Sequence, residues 1–319
     1  MFFSINIQKG YFMKKKEIAI LMASYNGGAF IATQLDSILS QTYRNWKLYI
    51  HDDGSTDDTM NIIKKYVSKF PQKIFIVKGP RTGGAKYNFF YLMNEVNADY
   101  IMFSDQDDYW LPTKIEKTLK KLLELENNNP HIPVVTYTDL SVVDQNLKII
   151  SNKMSRYQAL KMTNTHFNKL MIQNVVTGCT MMINKACRDL AIKCKDYDSI
   201  IMHDWWCALI ASHFGKIGYL DEPLILYRQH GDNSVGAKKV YDIKYVASKI
   251  NHINKQKLSV IKAEKQILLF AKTYKINKAY IVEYGNLNKR NKLNRIYFFI
   301  KHHIFKSGLI RNIGLFLVC

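Results

Sequence analysis

Residues 102–110 read Met102-Phe103-Ser104-Asp105-Gln106-Asp107-Asp108-Tyr109-Trp110, and they decide how the rest of the sequence is interpreted. Three carboxylates lie within four residues, directly after the apolar run 100–103. Like charges this close disfavour joint ionisation, so the cluster needs a neutralising cation. A hard divalent ion such as Mg2+ or Mn2+ prefers carboxylate and phosphate oxygens. The stretch predicts a metal site at the carboxyl end of a strand; the alternative is an acidic turn that caps the helix starting near Pro112.

In the first 140 residues, segments with the apolar pattern of strands alternate with segments with the apolar spacing of helices. The continuous apolar run 18–23 and the mostly apolar segments 46–50, 73–77 and 99–103 predict four strands. Between them, apolar residues recur at helical spacing in 30–39, 60–67 and 89–93. This alternation predicts an α/β fold, with a Rossmann-like, mostly parallel sheet flanked by helices.

Residues suited to a nucleotide follow the first two predicted strands. Tyr25 and Asn26 offer an aromatic face and polar edges, and Asp53 offers a carboxylate for a base N–H or a ribose hydroxyl. An ordinary Asn-Gly turn and a helix cap at 55–57 are the alternatives. Neither a Gly-x-x-x-x-Gly-Lys loop nor a Gly-x-Gly-x-x-Gly fingerprint is present, which argues against an NTPase and a dinucleotide-dependent dehydrogenase.

The positive charge is concentrated at one end of the chain. The 319 residues carry a formal net charge of +20, and residues 238–319 contain 18 Lys and Arg against 3 Asp and Glu, a net +15. We therefore predict a main domain (14–237) and a basic helical C-terminal tail (238–319), with an N-terminal extension (1–13) before them. A basic tail points to an acidic partner, either an anionic membrane surface or nucleic acid.

The tail has two interpretations. Ile243, Val246, Ile250 and Ile253 recur on one helix face, and residues 296–305 mix aromatic and cationic side chains. Such a segment can lie in a membrane interface, or its helices can pack on the domain 14–237 and expose lysines.

No apolar run is long enough for a transmembrane helix, residues 1–11 do not resemble a signal peptide, and the five cysteines are scattered. The expected location is cytoplasmic, peripheral on the inner face of the plasma membrane.

Four ordered motifs together resemble a known family. The segments ILMASYNGG, HDDGSTDDT, GGAKYNFF and MFSDQDDYWLP are similar, at these spacings, to the inverting family 2 glycosyltransferases with the GT-A fold. The resemblance covers roughly residues 14–236. It implies a nucleotide-sugar donor and a divalent cofactor, Mg2+ or Mn2+.

The resemblance also implies roles by position. Tyr25 and Asp53 match the residues that bind the base, Asp105 lies where the family contacts the ribose, and Asp107 lies where it holds the metal on the diphosphate. The full set of donor-binding positions implied for the first half is Tyr25, Asn26, Asp53, Lys86, Asn88 and Asp105.

The second half supplies the acceptor side of the resemblance. Residues 175–180 form a β-rich stretch similar to the segment before the acceptor helix, and residues 201–206 resemble the Glu-Asp or His-Asp motif whose Asp is the catalytic base. The resemblance makes Asp204 the base, with His203 a candidate to orient it. Trp205 and Trp206 are expected to desolvate Asp204 or to offer a flat face to a sugar. The alternative is a helix N-terminus with core tryptophans.

Residues 226–236 resemble a segment of bacterial rhamnosyltransferase-like members. Arg228 suits phosphate, and His230 suits a second metal ligand beside Asp107 or a contact to the diphosphate. Together with the acidic stretch 104–110, this segment favours dTDP-rhamnose as the donor, with UDP-hexoses as the second choice. The expected acceptor is a glycan or lipid-linked oligosaccharide in the synthesis of a cell-surface polysaccharide such as capsule or O-antigen.

Two other classes of protein remain as alternatives. A catalytically silent nucleotide-sugar binding protein would have no use for Asp204. A nucleic-acid-binding protein would explain the basic tail but not the strand-end carboxylates, which repel a phosphate backbone. We therefore predict an enzyme with no nucleic-acid partner.

Overall fold

The computed structural model describes residues 16–230 and 253–319. Its strands are β1 (Ile18–Ser24), β2 (Trp46–Asp52), β3 (Ile74–Ile76), β4 (Tyr100–Ser104), β5 (Tyr109–Trp110), β6 (Val134–Val143), β7 (Ile149–Ser151), β8 (Met181–Asn184) and β9 (Lys216–Arg228). Its α-helices are α1 (Ile31–Leu39), α2 (Thr59–Lys69), α3 (Ala85–Glu95), α4 (Lys114–Glu126), α5 (Met154–Tyr157), α6 (Phe167–Leu170), α7 (Lys185–Ala191), α8 (His203–Phe214), α9 (Ile253–Thr273), α10 (Ala279–Tyr284), α11 (Lys292–Lys301) and α12 (Leu309–Val318). The predicted α/β class is confirmed.

The first half of the sheet is parallel. In the strand order β3-β2-β1-β4, every neighbouring pair runs parallel, and the register aligns Ser24 with Asp52 and Met22 with Ser104. Alternate residues of β1 face opposite sides, so Ile20 and Leu21 enter two separate hydrophobic clusters. This double burial explains why β1 reads as a continuous apolar run. The alignment also brings the residues that follow β1, β2 and β4 to one edge of the sheet.

The second half of the sheet contains both parallel and antiparallel strand pairs. The order continues through β8, β6, β9 and β5, with β6 and β9 parallel and the other contacts antiparallel. Residues 175–180, expected to be β-rich, instead form a loop and a 3-10 turn at Gly178–Thr180, and β8 begins only at Met181. The pairing of Tyr109 with Leu226 folds the chain back after the acidic cluster, so that the end of β9 lies beside it.

The helices after residue 253 pack against the sheet domain. The ring centroids of Phe270 on α9 and Trp206 on α8 are 5.4 Å apart, and the Tyr284 hydroxyl donates to the carbonyl of Met171 at 2.9 Å. Residues of both regions belong to one buried cluster. The predicted extension 1–13 and the helix positions Ile243, Val246 and Ile250 lie outside the described residues. Among the helices that are described, none is both long and apolar enough to cross a bilayer.

Candidate active site

The acidic stretch forms a loop that the end of β9 anchors. The Arg228 side chain donates from Nε to the carbonyl of Asp107 at 2.7 Å, and its backbone N–H donates to Oδ1 of Asp108 at 3.2 Å. The Nε2 atom of His230 lies 2.7 Å from Oδ2 of Asp107. Arg228 and His230, which are 120 residues or more from the loop in sequence, thereby fix its orientation.

A cavity of about 790 Å3 opens at the carboxyl edge of the parallel strands. This volume is within the range of pockets that hold a small-molecule ligand or cofactor. The sequence-predicted residues that line it come from both halves of the chain: Tyr25, Asn26, Asp53, Asn88, Asp105, Asp107, Asp204 and His230. The structure thus brings the strand-end residues and Asp204 to one space.

Two residues that sequence reasoning missed support Tyr25, whose side chain is partly exposed at the cavity. The side-chain amide of Gln106 accepts from the Tyr25 backbone N–H at 2.9 Å and donates to the Tyr25 carbonyl at 2.8 Å. The guanidinium of Arg81 lies 5.3 Å from the Tyr25 ring centroid and donates to its hydroxyl at 3.2 Å. Gln106 lies inside the acidic motif, so its position in the sequence could have indicated a role at the site. No feature of the sequence indicated a role for Arg81.

Asp53 is oriented towards the loop before α3. Its carboxylate accepts from the backbone N–H groups of Thr82, Gly83 and Gly84 and from the Thr82 hydroxyl. Burial raises its pKa, but these hydrogen bonds outweigh burial and the net shift is downward. Gly83 and Gly84 have φ values of +83° and +142°, which favour glycine. A base N–H can reach Asp53 only by replacing one of these bonds.

The cavity is acidic. Five carboxylates line it, those of Asp53, Asp57, Asp105, Asp107 and Asp204, whereas Arg81 is the one permanently charged cation among the described lining residues. Burial, together with the charges of Asp107 and Asp204, raises the pKa of Asp105 to about 7. These carboxylates would repel a diphosphate unless a cation neutralised them. Their oxygen atoms are suitable ligands for a hard divalent cation.

A buried group of possible ligands lies behind the cavity edge. One ligand atom each from Asp105, Asp108 and Cys179 lie within 4.8 Å of one another. Burial, then the neighbouring carboxylates, raise the pKa of the Cys179 thiol and of Asp108. A protonated thiol is a poor ligand for Mg2+ or Mn2+, whereas the buried Oδ2 of Asp108 has no hydrogen-bond partner in the described part of the chain. The carboxylates therefore fit a hard cation better than the thiol does.

Asp204 lies in the first turn of α8 and faces the same cavity. Its Oδ2 accepts from the Gly178 backbone N–H at 2.9 Å, and its Oδ1 accepts from the Asn174 side chain at 3.1 Å and from the Trp205 backbone N–H. Burial dominates over these bonds and raises the pKa to about 7. A carboxylate with this pKa can accept a proton near neutral pH.

His203 precedes Asp204 but does not bond to it. Its ring lies 4.2 Å from the Phe89 centroid and 4.8 Å from the Phe103 centroid, and both ring nitrogens lack a hydrogen-bond partner among residues 16–230 and 253–319. Burial lowers its pKa to about 3, so the ring is neutral. Asn174 and Gly178 hold Asp204 instead. Gly178 lies in the stretch 175–180 that the resemblance included, whereas Asn174 carried no sequence signal.

Four predicted substrate contacts do not line the cavity. Lys86 Nζ donates to the carbonyl of Ile200 at 2.7 Å, and Arg228 is buried beneath the acidic loop. Trp205 donates to the carbonyl of Leu170 at 2.6 Å, and Trp206 is fully buried against Phe270. Because successive helix residues point about 100° apart, Asp204 can face the cavity while both tryptophans face the core. None of the four lines this cavity, so their contact with substrate stays a prediction.

Comparisons with known proteins agree on the type of protein. The sequence profile described as "Glycosyl transferase family 2" matches residues 19–191. The dTDP-rhamnosyl transferase RfbG of Shigella flexneri is 32% identical over 237 residues, which cover 70% of this chain and 76% of RfbG. WfaP of Escherichia coli, described as a UDP-Glc:alpha-D-GlcNAc-diphosphoundecaprenol beta-1,3-glucosyltransferase, is 37% identical over 102 residues, or 32% of this chain and 39% of WfaP.

A solved structure agrees on the fold. The crystal structure of TarS from S. aureus superposes with a TM-score of 0.51 at 13% identity, covering 90% of this chain and 54% of TarS. At this identity the likeness concerns the fold alone, and it confirms the predicted GT-A fold.

Proposed function

Because the chain belongs to glycosyl transferase family 2 and is a glycosyltransferase that uses nucleotide sugars, we propose that it transfers a sugar with inversion from dTDP-rhamnose. The observation that carries the proposal is the single cavity lined by Tyr25, Asp105, Asp107 and Asp204. It supplies an aromatic face and carboxylates for a nucleoside diphosphate, together with a base for the attacking hydroxyl.

The donor end of the cavity is proposed to hold the nucleotide. Tyr25, with Arg81 on its ring, offers a stacking face for the base, and Asn26, Asp53 and Asn88 lie beside it. Asp105 would contact the ribose. Asp107 would be a ligand of Mg2+ or Mn2+, with His230 holding its Oδ2 or joining it as a second ligand. When bound, such an ion would neutralise the diphosphate that leaves.

Asp204 is proposed to take the proton of the acceptor hydroxyl. The hydroxyl oxygen forms a bond to C1 of the sugar as the C1–O bond to the diphosphate breaks. Its proton passes to the Asp204 carboxylate, and no covalent enzyme intermediate is needed. Asn174 and Gly178 hold the carboxylate in place while its pKa of about 7 keeps it basic enough to act.

The likeness to RfbG supports dTDP-rhamnose as donor, and the likeness to WfaP supports a UDP-hexose as the second candidate. WfaP is described as acting on a diphosphoundecaprenol-linked sugar, which supports a lipid-linked acceptor in cell-surface polysaccharide synthesis, such as capsule or O-antigen. A lipid-linked acceptor would place the protein at the cytoplasmic face of a membrane.

A donor screen tests the proposal. The full chain is incubated with Mn2+, a lipid-linked acceptor and a panel of nucleotide sugars, and products are identified by mass. We expect a mass gain of one deoxyhexose with dTDP-rhamnose and none with UDP-hexoses. A hexose gain with UDP-glucose alone would favour the second donor, and failure of every donor to give a product would contradict the proposed enzyme.

A further inference from the structure

The last two helices carry an apolar surface that the described part of the chain leaves uncovered. Seven of the thirteen exposed large hydrophobic side chains in residues 16–230 and 253–319 lie on α11 and α12, which have 10 residues each. Their exposed fractions range from 48% to 79%. These residues, here called the apolar rows, are Leu293, Tyr297 and Ile300 on α11 and Leu309, Ile310, Ile313 and Leu317 on α12.

Each row occupies one face of its helix. Leu293, Tyr297 and Ile300 follow the spacing i, i+4, i+7 on α11. On α12, Leu309, Ile313 and Leu317 follow i, i+4, i+8, and Ile310 lies beside Leu309 on the same side of the helix. Both helices already bury another apolar face, through Phe298 and Phe299 on α11 and through Leu315 and Val318 on α12. A surface helix normally presents polar residues opposite its packed face, so a second apolar face indicates a binding surface.

The two rows approach each other. Lys292 Nζ donates to the carbonyl of Leu317 at 3.2 Å, which sets the start of α11 beside the end of α12. This contact places the row on α11, which starts at Leu293, close to the row on α12, which ends at Leu317.

Positive charge surrounds the rows. Residues 284–319 contain seven Lys and Arg and no Asp or Glu. Arg295 is buried and paired with Glu264, and Arg290 pairs with Glu283, whereas Lys289 and Lys301 are exposed beside the rows. Apolar side chains flanked by cations match an interface of acyl chains and anionic headgroups. Two copies of this face would instead oppose like charges, and a nucleic acid would leave the apolar rows uncovered.

We propose that the apolar rows and the lysines beside them form a docking face for an anionic lipid bilayer. The inference deepens the proposed function, since it rests on the lipid-linked acceptor and names the surface that holds the enzyme near it. The side chains of the rows enter the headgroup boundary, and the cations contact lipid phosphates.

Vesicle binding by the full chain tests the proposal. Phosphatidylglycerol vesicles and phosphatidylcholine vesicles are sedimented with the wild type, with L293Q/L309Q/L317Q, and with the matched control I149Q/I150Q, whose two isoleucines are exposed on β7. We expect the triple variant to bind phosphatidylglycerol vesicles at least about tenfold more weakly and the control to bind like the wild type. Equal binding by the triple variant would overturn the proposal.

Two further measurements separate the other outcomes. A K289Q/K301Q variant should also lose binding, and wild-type binding should weaken with added salt; equal binding to phosphatidylcholine vesicles would remove the role of charge and overturn the proposal. If sedimentation equilibrium shows a dimer for the wild type and a monomer for the triple variant, and both bind vesicles equally, the face binds a second copy of the chain instead. Binding of dTDP, measured by calorimetry, should be equal in all variants; its absence in the wild type would contradict the proposed donor and leave the docking result interpretable.

Discussion

At the scale of single residues, the environment of Asp204 determines its chemistry. Three donors hold the carboxylate, yet burial outweighs them and raises its pKa to about 7. The hydrogen bonds fix its direction, while burial makes it a stronger base than an ordinary aspartate. The same residue is therefore both oriented and suited to accept a proton near neutral pH.

This pKa predicts a pH profile. Below about pH 7 the folded protein holds Asp204 protonated, so we expect kcat/KM to fall about tenfold for each pH unit, and to level off above. Asp105 also has a pKa raised to about 7, so the profile is measured on Asp105→Asn as well. The acidic limb should persist in that variant, at lower overall activity. A rate that is independent of pH through this region in the wild type would contradict Asp204 as the base.

Asp107 gives a second prediction at this scale. Its carboxylate lies on the cavity, so Asp107→Ala should remove the increase in dTDP affinity that Mn2+ produces. The measurement is dTDP titration with Mn2+ and with a chelator. Asp58→Ala, an exposed carboxylate outside the cavity, serves as the control and should retain the increase. An undiminished Mn2+ effect in Asp107→Ala would exclude it as a metal ligand.

At the scale of elements, the sequence predicted the strands whose pattern depends on their own residues. The strands β1 and β4 are mostly apolar because both of their faces are buried. The register of β1, β2 and β4 explains why Tyr25, Asp53 and Asp105 converge. Asp204, by contrast, was assigned through the family resemblance, since residues 201–206 alone equally predict a helix N-terminus.

The rest of the sheet depends on distant partners. β6 is fully buried, although it contains Asp139, whose carboxylate accepts from the hydroxyls of Ser155 and Tyr219. Such polar residues obscure a buried strand in sequence, because the groups that satisfy them lie 16 and 80 residues away. For the same reason, the hydrogen bond from Asn174 to Asp204 was not foreseeable.

The packing of α11 on α9 yields a prediction at this scale. Arg295 donates to Glu264 at 3.0 Å, and both side chains are buried. Arg295→Met leaves a buried carboxylate without its partner, so we expect the free energy of unfolding to fall by about 3–5 kcal/mol. Arg290→Met removes an exposed partner of Glu283 and should cost less than about 1 kcal/mol. Urea denaturation measures both, and equal losses would contradict the buried role of Arg295.

At the scale of the whole molecule, the basic tail is both packed and exposed. Phe270, Tyr284 and Phe299 enter the buried cluster that also contains Trp206 of α8, while the apolar rows face solvent. The buried faces of these helices agree with the interpretation that the tail packs on the rest of the chain, and the membrane interpretation stays a proposal for the exposed faces.

This shared core predicts the result of deleting residues 253–319. Removal uncovers Trp206 and its neighbours, so we expect loss of cooperative thermal unfolding and of dTDP binding, not a soluble domain with an intact site. Circular dichroism and calorimetry measure the two properties, with L293Q/L309Q/L317Q as the control that keeps the core. A truncated chain that melts cooperatively and binds dTDP like the wild type would show that the tail is an independent unit.

The central claim is that one cavity, assembled from strand ends and the start of α8, binds the donor at one side and deprotonates the acceptor at the other. The most direct test compares donor binding and transfer in Asp204→Asn, with Asp221→Asn as a matched exposed control. We predict that Asp204→Asn binds the donor within about twofold of the wild type and transfers sugar at least about a hundredfold more slowly, while the control matches the wild type in both. Transfer by Asp204→Asn at the wild-type rate would contradict the claim.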